Sequence, residues 1–137
     1  MLVSLALVAP ACQAERVQVV PTEQHLQAEY QDESGDSLRY LVWLPAGYGV
    51  DREKLHPMIV FLHGSGSETY NSEFVISSGL PAVLALGEQP ENFDFVVISP
   101  QAEPGTFWLT DGQLEVVDAI VQEALDTYLV EIGRAHV

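Results

Sequence analysis

Two kinds of hydrophobic pattern follow one another along the chain. Residues 16–20, 25–31 and 37–45 alternate apolar with polar positions or are rich in β-branched and aromatic side chains. The turn-forming residues at 32–36 separate the last two segments. Such segments are typical of strands in an antiparallel sheet. The pattern therefore predicts that two or three antiparallel strands open the fold.

The later apolar segments have a different character. Residues 58–62 (MIVFL) and 93–99 (FDFVVIS) are apolar at nearly every position, which is typical of parallel strands that are covered on both faces. Between them, residues 74–88 predict helical turns, with a short helix that starts at Pro81 and ends near Gly87.

A longer helix is predicted after Trp108. Thr110 and Gln113 have the spacing of a capping box, in which each side chain bonds to the backbone of the other residue. Apolar residues then recur at three- and four-residue steps, at Leu114, Val117, Val121, Ala124, Leu125 and Tyr128. Alternating strands and helices predict an α/β fold with antiparallel strands first, then parallel strands with crossover helices. A ligand site is expected beyond the carboxyl ends of the parallel strands.

One candidate for chemistry is the loop His63-Gly64-Ser65-Gly66, directly after the apolar segment at 58–62. Its glycines allow the backbone to turn sharply and leave N–H groups uncovered, as donors to a developing oxyanion must be. His63 would hold this loop by hydrogen bonding rather than act as a base. The alternative is an ordinary turn with incidental glycines. A phosphate loop fits poorly, because no lysine follows the glycines.

The order of four segments adds a more specific indication. Together they resemble the N-terminal half of an α/β-hydrolase of the secreted esterase, predicted-peptidase and polyhydroxybutyrate-depolymerase-like kind. The resemblance covers residues 38 to 130, and the segments that carry it are YLVWLPAGY, HPMIVFLHGSG, FVVISPQ and the pair Phe107-Trp108 before a helix.

The resemblance implies roles for particular residues. The backbone N–H of Ser65 would be one oxyanion donor, with Gly64 and Gly66 shaping the loop and His63 supporting it. Gln101 and Trp108 would line the substrate cleft. For both of these, a purely structural role is an equally good interpretation.

Acyl transfer on this fold also needs a serine in a G-x-S-x-G turn, then an acid, then a histidine. The 137 residues contain no G-x-S-x-G. Residues 131–137 (EIGRAHV) spell a translated DNA-sequencing adapter, so we expect a foreign scar in which Arg134 and His136 have no role. The alternative is a natural short tail. If residues 131–137 are a scar, we expect residues 15–130 to be a partial domain, truncated before the nucleophile.

The first 14 residues have the length and apolar character of a secretion signal, although no lysine or arginine precedes them. Cleavage after Ala14 would remove Cys12, the single cysteine. Two alternatives are open: Cys12 as the lipid-anchored first residue of a lipoprotein, or an ordinary core segment. The expected location is secreted or periplasmic.

Charge excludes some classes of partner. The chain has 20 acidic and 5 basic residues, a formal net charge of −15, which repels nucleic acid and anionic lipid. No histidine, aspartate and glutamate cluster has metal-ligand spacing, so neither a metal nor another cofactor is expected. Outside the leader, no segment is apolar for long enough to span a membrane.

Two hypotheses of function follow. The first is a fragment of a secreted serine hydrolase that cleaves small-molecule or polymeric carboxylic esters through an acyl-enzyme and is inactive alone. The second is an exported α/β binding module without catalysis. The downstream reading frame distinguishes them, because a G-x-S-x-G in the next strand supports the first and a natural stop supports the second.

Overall fold

The computed structural model describes residues 25–33, 35, 37–64 and 75–131. The elements in this part of the chain are β1 (Leu26–Gln31), β2 (Ser37–Trp43), β3 (Met58–Val60), α1 (Gly79–Ala85), β4 (Val96–Pro100) and α2 (Gln113–Thr127). Several sequence predictions lie outside the described residues: the leader 1–14 with Cys12, the strand at 16–20, Ser65 and Gly66 of the loop, and the tail after residue 131.

The four strands form one mixed sheet in the order β1-β2-β4-β3. β1 pairs with β2 and β2 pairs with β4 in antiparallel fashion, whereas β3 and β4 are parallel. The β1–β2 turn contains a hydrogen bond from the Gly35 N–H to the Asp32 carbonyl at 3.2 Å. The predicted α/β fold, with antiparallel strands before the parallel pair, is confirmed.

The position of β4 in the sheet explains why its sequence is apolar throughout. All five of its residues are buried, because side chains of both faces of the sheet are covered. On one face Val96 and Ile98 belong to a core with Val117 and Ile120 of α2. On the other face Val97 packs with Trp43 and Leu84 of α1. The interpretation of this segment as a strand covered on both faces is therefore confirmed.

α1 is the short helix that the sequence predicted, although it begins at Gly79, two residues before Pro81. Proline is tolerated there because the N–H groups of the first helical turn have no partner within the helix. The helix ends at Ala85, and Gly87 follows with a φ of 70°, in the left-handed region that favours glycine.

The predicted capping box of α2 is wrong. The residue before the helix is Gly112, with a φ of 88° and no side-chain cap. The Thr110 hydroxyl instead accepts a hydrogen bond from the Phe107 N–H at 3.0 Å, which closes the preceding turn. Leu114, predicted on the buried stripe, is 48% exposed, whereas Ile120 is fully buried. Because Gly112 adopts a left-handed conformation, α2 begins only at Gln113, later than the spacing of Thr110 and Gln113 suggested.

The chain returns to the sheet after α2, at the edge where β3 begins. The His56 N–H donates to the Leu129 carbonyl at 2.8 Å, and the Glu131 N–H donates to the His56 carbonyl at 3.0 Å. Val130 thereby forms a parallel bridge with His56. The Tyr48 hydroxyl accepts from the Leu129 N–H at 2.8 Å. Residues 129–131 therefore lie beside β3 on the side away from β4.

Two buried tyrosines make the fold sensitive to alkali. The Tyr40 hydroxyl donates to the Glu123 carboxylate at 2.6 Å, and burial, reinforced by Glu123, raises the pKa of Tyr40. Burial also raises the pKa of Tyr128 to about 12 from its ordinary value of 10.0. Because the folded state holds these protons more tightly than the unfolded state does, the stability that they contribute is complete below pH 10 and declines above it, and the share of Tyr128 is lost as the pH passes about 12.

We therefore expect the free energy of unfolding to fall steeply across this alkaline range. Urea denaturation at a series of pH values measures the slope, and the Tyr128→Phe variant should show a shallower one because the phenylalanine cannot ionise. An unchanged slope in this variant would contradict the assignment.

Candidate functional site

The carboxyl ends of the parallel strands β3 and β4 lie at the same edge of the sheet. The chain leaves β3 through residues 61–64 and leaves β4 through residues 101–112. The Phe61 N–H still donates to the Ile98 carbonyl at 2.8 Å, so the two strands stay together almost to His63. The topology thus brings the two predicted site segments next to each other.

His63 is 5% exposed and has both ring nitrogens engaged by backbone groups. Nε2 accepts a hydrogen bond from the Ala102 N–H at 3.0 Å, and Nδ1 lies 3.0 Å from the Gly64 carbonyl oxygen. An amide N–H can only donate, so Nε2 is the nitrogen without a proton and Nδ1 donates to Gly64. The ring joins the loop after β3 to the loop after β4.

Trp108 contacts the same histidine through both its N–H and its ring. Its indole N–H donates to the His63 carbonyl at 2.8 Å. The two rings are tilted by 56° with centroids 4.8 Å apart, a common arrangement for aromatic pairs. The indole N–H is therefore used within the protein, and the half-buried ring is the part of Trp108 that a ligand could contact.

Gln101 is 7% exposed, and its N–H donates to the Arg39 carbonyl at 2.9 Å. This bond extends the pairing of β2 and β4 by one residue beyond Pro100. Two cavities, of about 290 Å³ and about 440 Å³, have Glu29, Arg39 and Gln101 in common among their lining residues. Gln101 therefore lines both cavities and is next in sequence to Ala102, which bonds to His63.

The structure brings together most of the predicted site residues that it describes. His63, Gly64 and Trp108 are in direct contact, and Gln101 is next to Ala102, which bonds to His63. Sequence reasoning missed Ala102, because its contribution is a backbone N–H that no side-chain pattern reveals. It also missed Arg39, whose alternation with Leu38 and Tyr40 indicated only an outward-facing position on β2.

The turn that carries Trp108 also presents apolar side chains to solvent. Phe107 is 59% exposed and Leu109 is 88% exposed, whereas Trp108 between them points towards His63. Hydrogen bonds from the Phe107 N–H to the Thr110 hydroxyl and from the Thr110 N–H to the Phe107 carbonyl close the turn. An apolar rim therefore lies beside the histidine loop.

A second histidine belongs to the opposite edge of the sheet. His56 precedes β3, is 1% exposed, and its Nδ1 lies 2.8 Å from the Asp94 carboxylate. The Lys54 ammonium, 2.8 Å from Asp94, holds the pKa of that carboxyl below its usual value, and His56 adds to the effect. Because these groups lie at the amino ends of the parallel strands, they are not part of the candidate site.

No helix in the described ranges has both the length and the apolar character that a membrane span needs. Within the same ranges, no three histidine, cysteine, aspartate or glutamate side chains gather closely enough to ligate a metal ion.

No family profile matches the sequence, and no curated protein is significantly similar to it. Solved structures do match. A thermostable esterase superposes with a TM-score of 0.69 at 22% identity, over 82% of this chain and 33% of the esterase. The chain has part of an α/β-hydrolase fold.

Other solved esterases have the same fold. A ferulic acid esterase from Anaeromyces mucronatus superposes with a TM-score of 0.52 at 18% identity, over 90% of this chain and 52% of that protein. A further ferulic acid esterase superposes with a TM-score of 0.51 at 17% identity, over 82% of this chain and 48% of that protein. The chain thus spans between a third and about half of these structures. At such identities the likeness establishes the fold.

Proposed function

We propose that the chain is part of a secreted serine hydrolase that cleaves carboxylic esters through an acyl-enzyme, and that residues 63–66 are its oxyanion loop. The single observation that carries this proposal is the hydrogen bond from His63 Nδ1 to the Gly64 carbonyl, 3.0 Å long. This bond lies at the carboxyl edge of the parallel strands, where α/β proteins bind their ligands.

The bond matters because of the geometry of the peptide unit. In a trans peptide the carbonyl and the N–H of the following residue lie in one plane and point in opposite directions. In the proposed enzyme, a hydrogen bond that holds the Gly64 carbonyl would by this planarity also limit the direction of the N–H that follows, the donor that the resemblance assigns to Ser65. Donors oriented before the reaction stabilise a developing oxyanion without the cost of reorganisation.

Substrate contacts in the proposed enzyme come from Gln101, on the cavity wall, and from the ring of Trp108. The similar solved proteins are esterases, two of them ferulic acid esterases, which supports an ester as the substrate. The substrate would be a small-molecule or polymeric ester, and the reaction needs no cofactor. The apolar leader at 1–14 supports a secreted or periplasmic location. The alternative is a lipoprotein that is anchored through Cys12.

The nucleophile, acid and base of the proposed enzyme come from outside residues 15–130, the partial hydrolase domain, since these contain no G-x-S-x-G. The parallel bridge between His56 and Val130 supports a further strand beside β3. We propose that this strand leads to the serine, and that residues 131–137 are an adapter-derived scar in its place.

For the 137-residue chain itself we expect no hydrolysis of p-nitrophenyl acetate above background, because an oxyanion loop without a nucleophile has nothing to stabilise. The assay follows p-nitrophenolate release from the purified chain, with heat-denatured protein as the control. A burst of product equal to the enzyme concentration would contradict this expectation.

The decisive experiment reads the coding DNA downstream of Val130 and expresses the resulting gene product. We expect a G-x-S-x-G within the next strand and ester hydrolysis by that product. Ser65→Pro removes the backbone N–H and should lower kcat by about 10²- to 10³-fold, whereas Ser65→Ala keeps the N–H and should leave kcat nearly unchanged. A natural stop codon at that point, or equal kcat for the two variants, would overturn the proposal.

A further inference from the structure

We infer that Trp108 is a positioning residue for the oxyanion loop: its indole N–H and the backbone N–H of Ala102 together hold His63 in place. This inference rests on the proposed function and extends it, since the resemblance alone suggested a substrate contact for Trp108. It begins from the two hydrogen bonds that the loop after β4 directs to a single residue of the loop after β3.

The two bonds hold different parts of His63. The Ala102 N–H donates to the ring at Nε2, 3.0 Å away, which selects the form of the ring that carries its proton on Nδ1. The Trp108 indole donates to the backbone carbonyl, 2.8 Å away. Ring and backbone are thus both attached to the neighbouring loop, so neither can rotate independently of β4.

The bond from Trp108 acts on the peptide unit that joins His63 to Gly64. Because this unit is planar, a donor fixed on its carbonyl sets the plane in which the Gly64 N–H lies. A carbonyl that accepts a hydrogen bond also polarises its own peptide unit. Trp108 therefore fixes the first peptide of the loop, and the His63 ring fixes the second through the Gly64 carbonyl.

The turn around Trp108 supports this role. Phe107 and Leu109 on either side of it are 59% and 88% exposed. Trp108 itself is partly buried and packs against the core on the α2 side of the sheet, so packing and the hydrogen bond together hold the tryptophan in place. The bonds of Thr110 to Phe107 close the turn and point Trp108 towards His63. The ring contact, with centroids 4.8 Å apart, adds packing to the hydrogen bond.

The test uses nuclear magnetic resonance on the ¹⁵N-labelled 137-residue chain, without substrate. The chain has two tryptophans, so the spectrum should contain two indole N–H signals, and Trp108→Phe identifies the signal of Trp108 by its loss. We expect the Trp108 indole N–H to exchange with solvent about tenfold or more slowly than that of free N-acetyltryptophanamide, because it is hydrogen-bonded.

Trp108→Phe keeps an aromatic side chain, although a smaller one, and removes the N–H donor. We expect the Gly64 amide proton to shift upfield and the ¹⁵N signals of the His63 ring to change, whereas the control Phe107→Leu, in the same turn, leaves both sets of signals in place. A tryptophan with only a packing role would lower the melting temperature in Trp108→Phe and would move the Gly64 proton only through the changed ring current, with the ¹⁵N signals of the His63 ring left in place. That result would overturn the inference.

If Trp108→Phe does not fold, the exchange rate of the Trp108 indole N–H in the wild-type chain is the test. An indole N–H that exchanges as fast as that of free N-acetyltryptophanamide would also overturn the inference. None of these measurements depends on catalysis. Failure of the proposed hydrolase function appears separately, in the downstream sequence and in the activity of the Ser65 variants.

Discussion

Gly79→Ala is expected to destabilise the fold by about 3 kcal/mol, from backbone strain and overpacking together. Gly79 has a φ of 63°, in the left-handed region that residues with a Cβ rarely adopt. A Cβ at this position would also collide with Cζ of the Phe61 ring. Phe61 lies two residues before His63, so a shift of its ring would also disturb the candidate site.

Gly112→Ala is the matched control for this prediction. Gly112 has a φ of 88°, but a Cβ there would meet nothing within 4 Å, so only the backbone strain remains, about 1 to 2 kcal/mol. Urea denaturation of the two variants and the wild type measures the difference between them. Equal losses in both variants would show that Phe61 makes room for the new methyl group and that its ring does not constrain position 79.

Ile98→Ala is expected to cost about 3 to 4 kcal/mol, because it removes a fully buried side chain from the middle of the sheet. Ile98 pairs with Val42 of β2 and with Val60 of β3. It belongs to the core on the α2 side of the sheet. Since β4 is held by strands on both sides, the surrounding structure cannot easily collapse into the space, and a cavity is left.

Leu109→Ala is the corresponding control on the surface. Leu109 is 88% exposed, so its truncation should change the free energy of unfolding by less than about 0.5 kcal/mol. The same denaturation experiment compares the two variants. If Ile98→Ala lost less than about 1 kcal/mol, β4 would not be the central strand of a tightly packed sheet.

Local patterns in the sequence were sufficient to predict the strands and the short helix. The alternation in 25–31 and 37–43 reflects strands with unequal faces, and the unbroken apolar run at 96–98 reflects a strand covered on both faces. At Thr110 the local pattern was misleading. The spacing to Gln113 suited a cap, but the chain enters α2 through Gly112 and the hydroxyl closes the previous turn instead.

The candidate site was predictable only in part, because the sequence shows side-chain patterns but not the contacts of backbone groups. His63 and the glycines after it were conspicuous because a polar, glycine-rich segment follows an apolar one in the sequence. The partners of His63 could not be recognised in the sequence. Ala102 contributes a backbone N–H, and Trp108 donates to a backbone carbonyl. Backbone groups are the same in every residue, so only the folded arrangement shows which of them meet.

The sequence by itself determined which segments are strands and helices, and it located the loop at the end of β3, because burial and backbone freedom depend on nearby side chains. Only the tertiary structure decided that β4 lies between β2 and β3, and that residues far apart in the chain hold the histidine loop. Such contacts depend on how the layers pack, and packing depends on the whole domain rather than on any local segment.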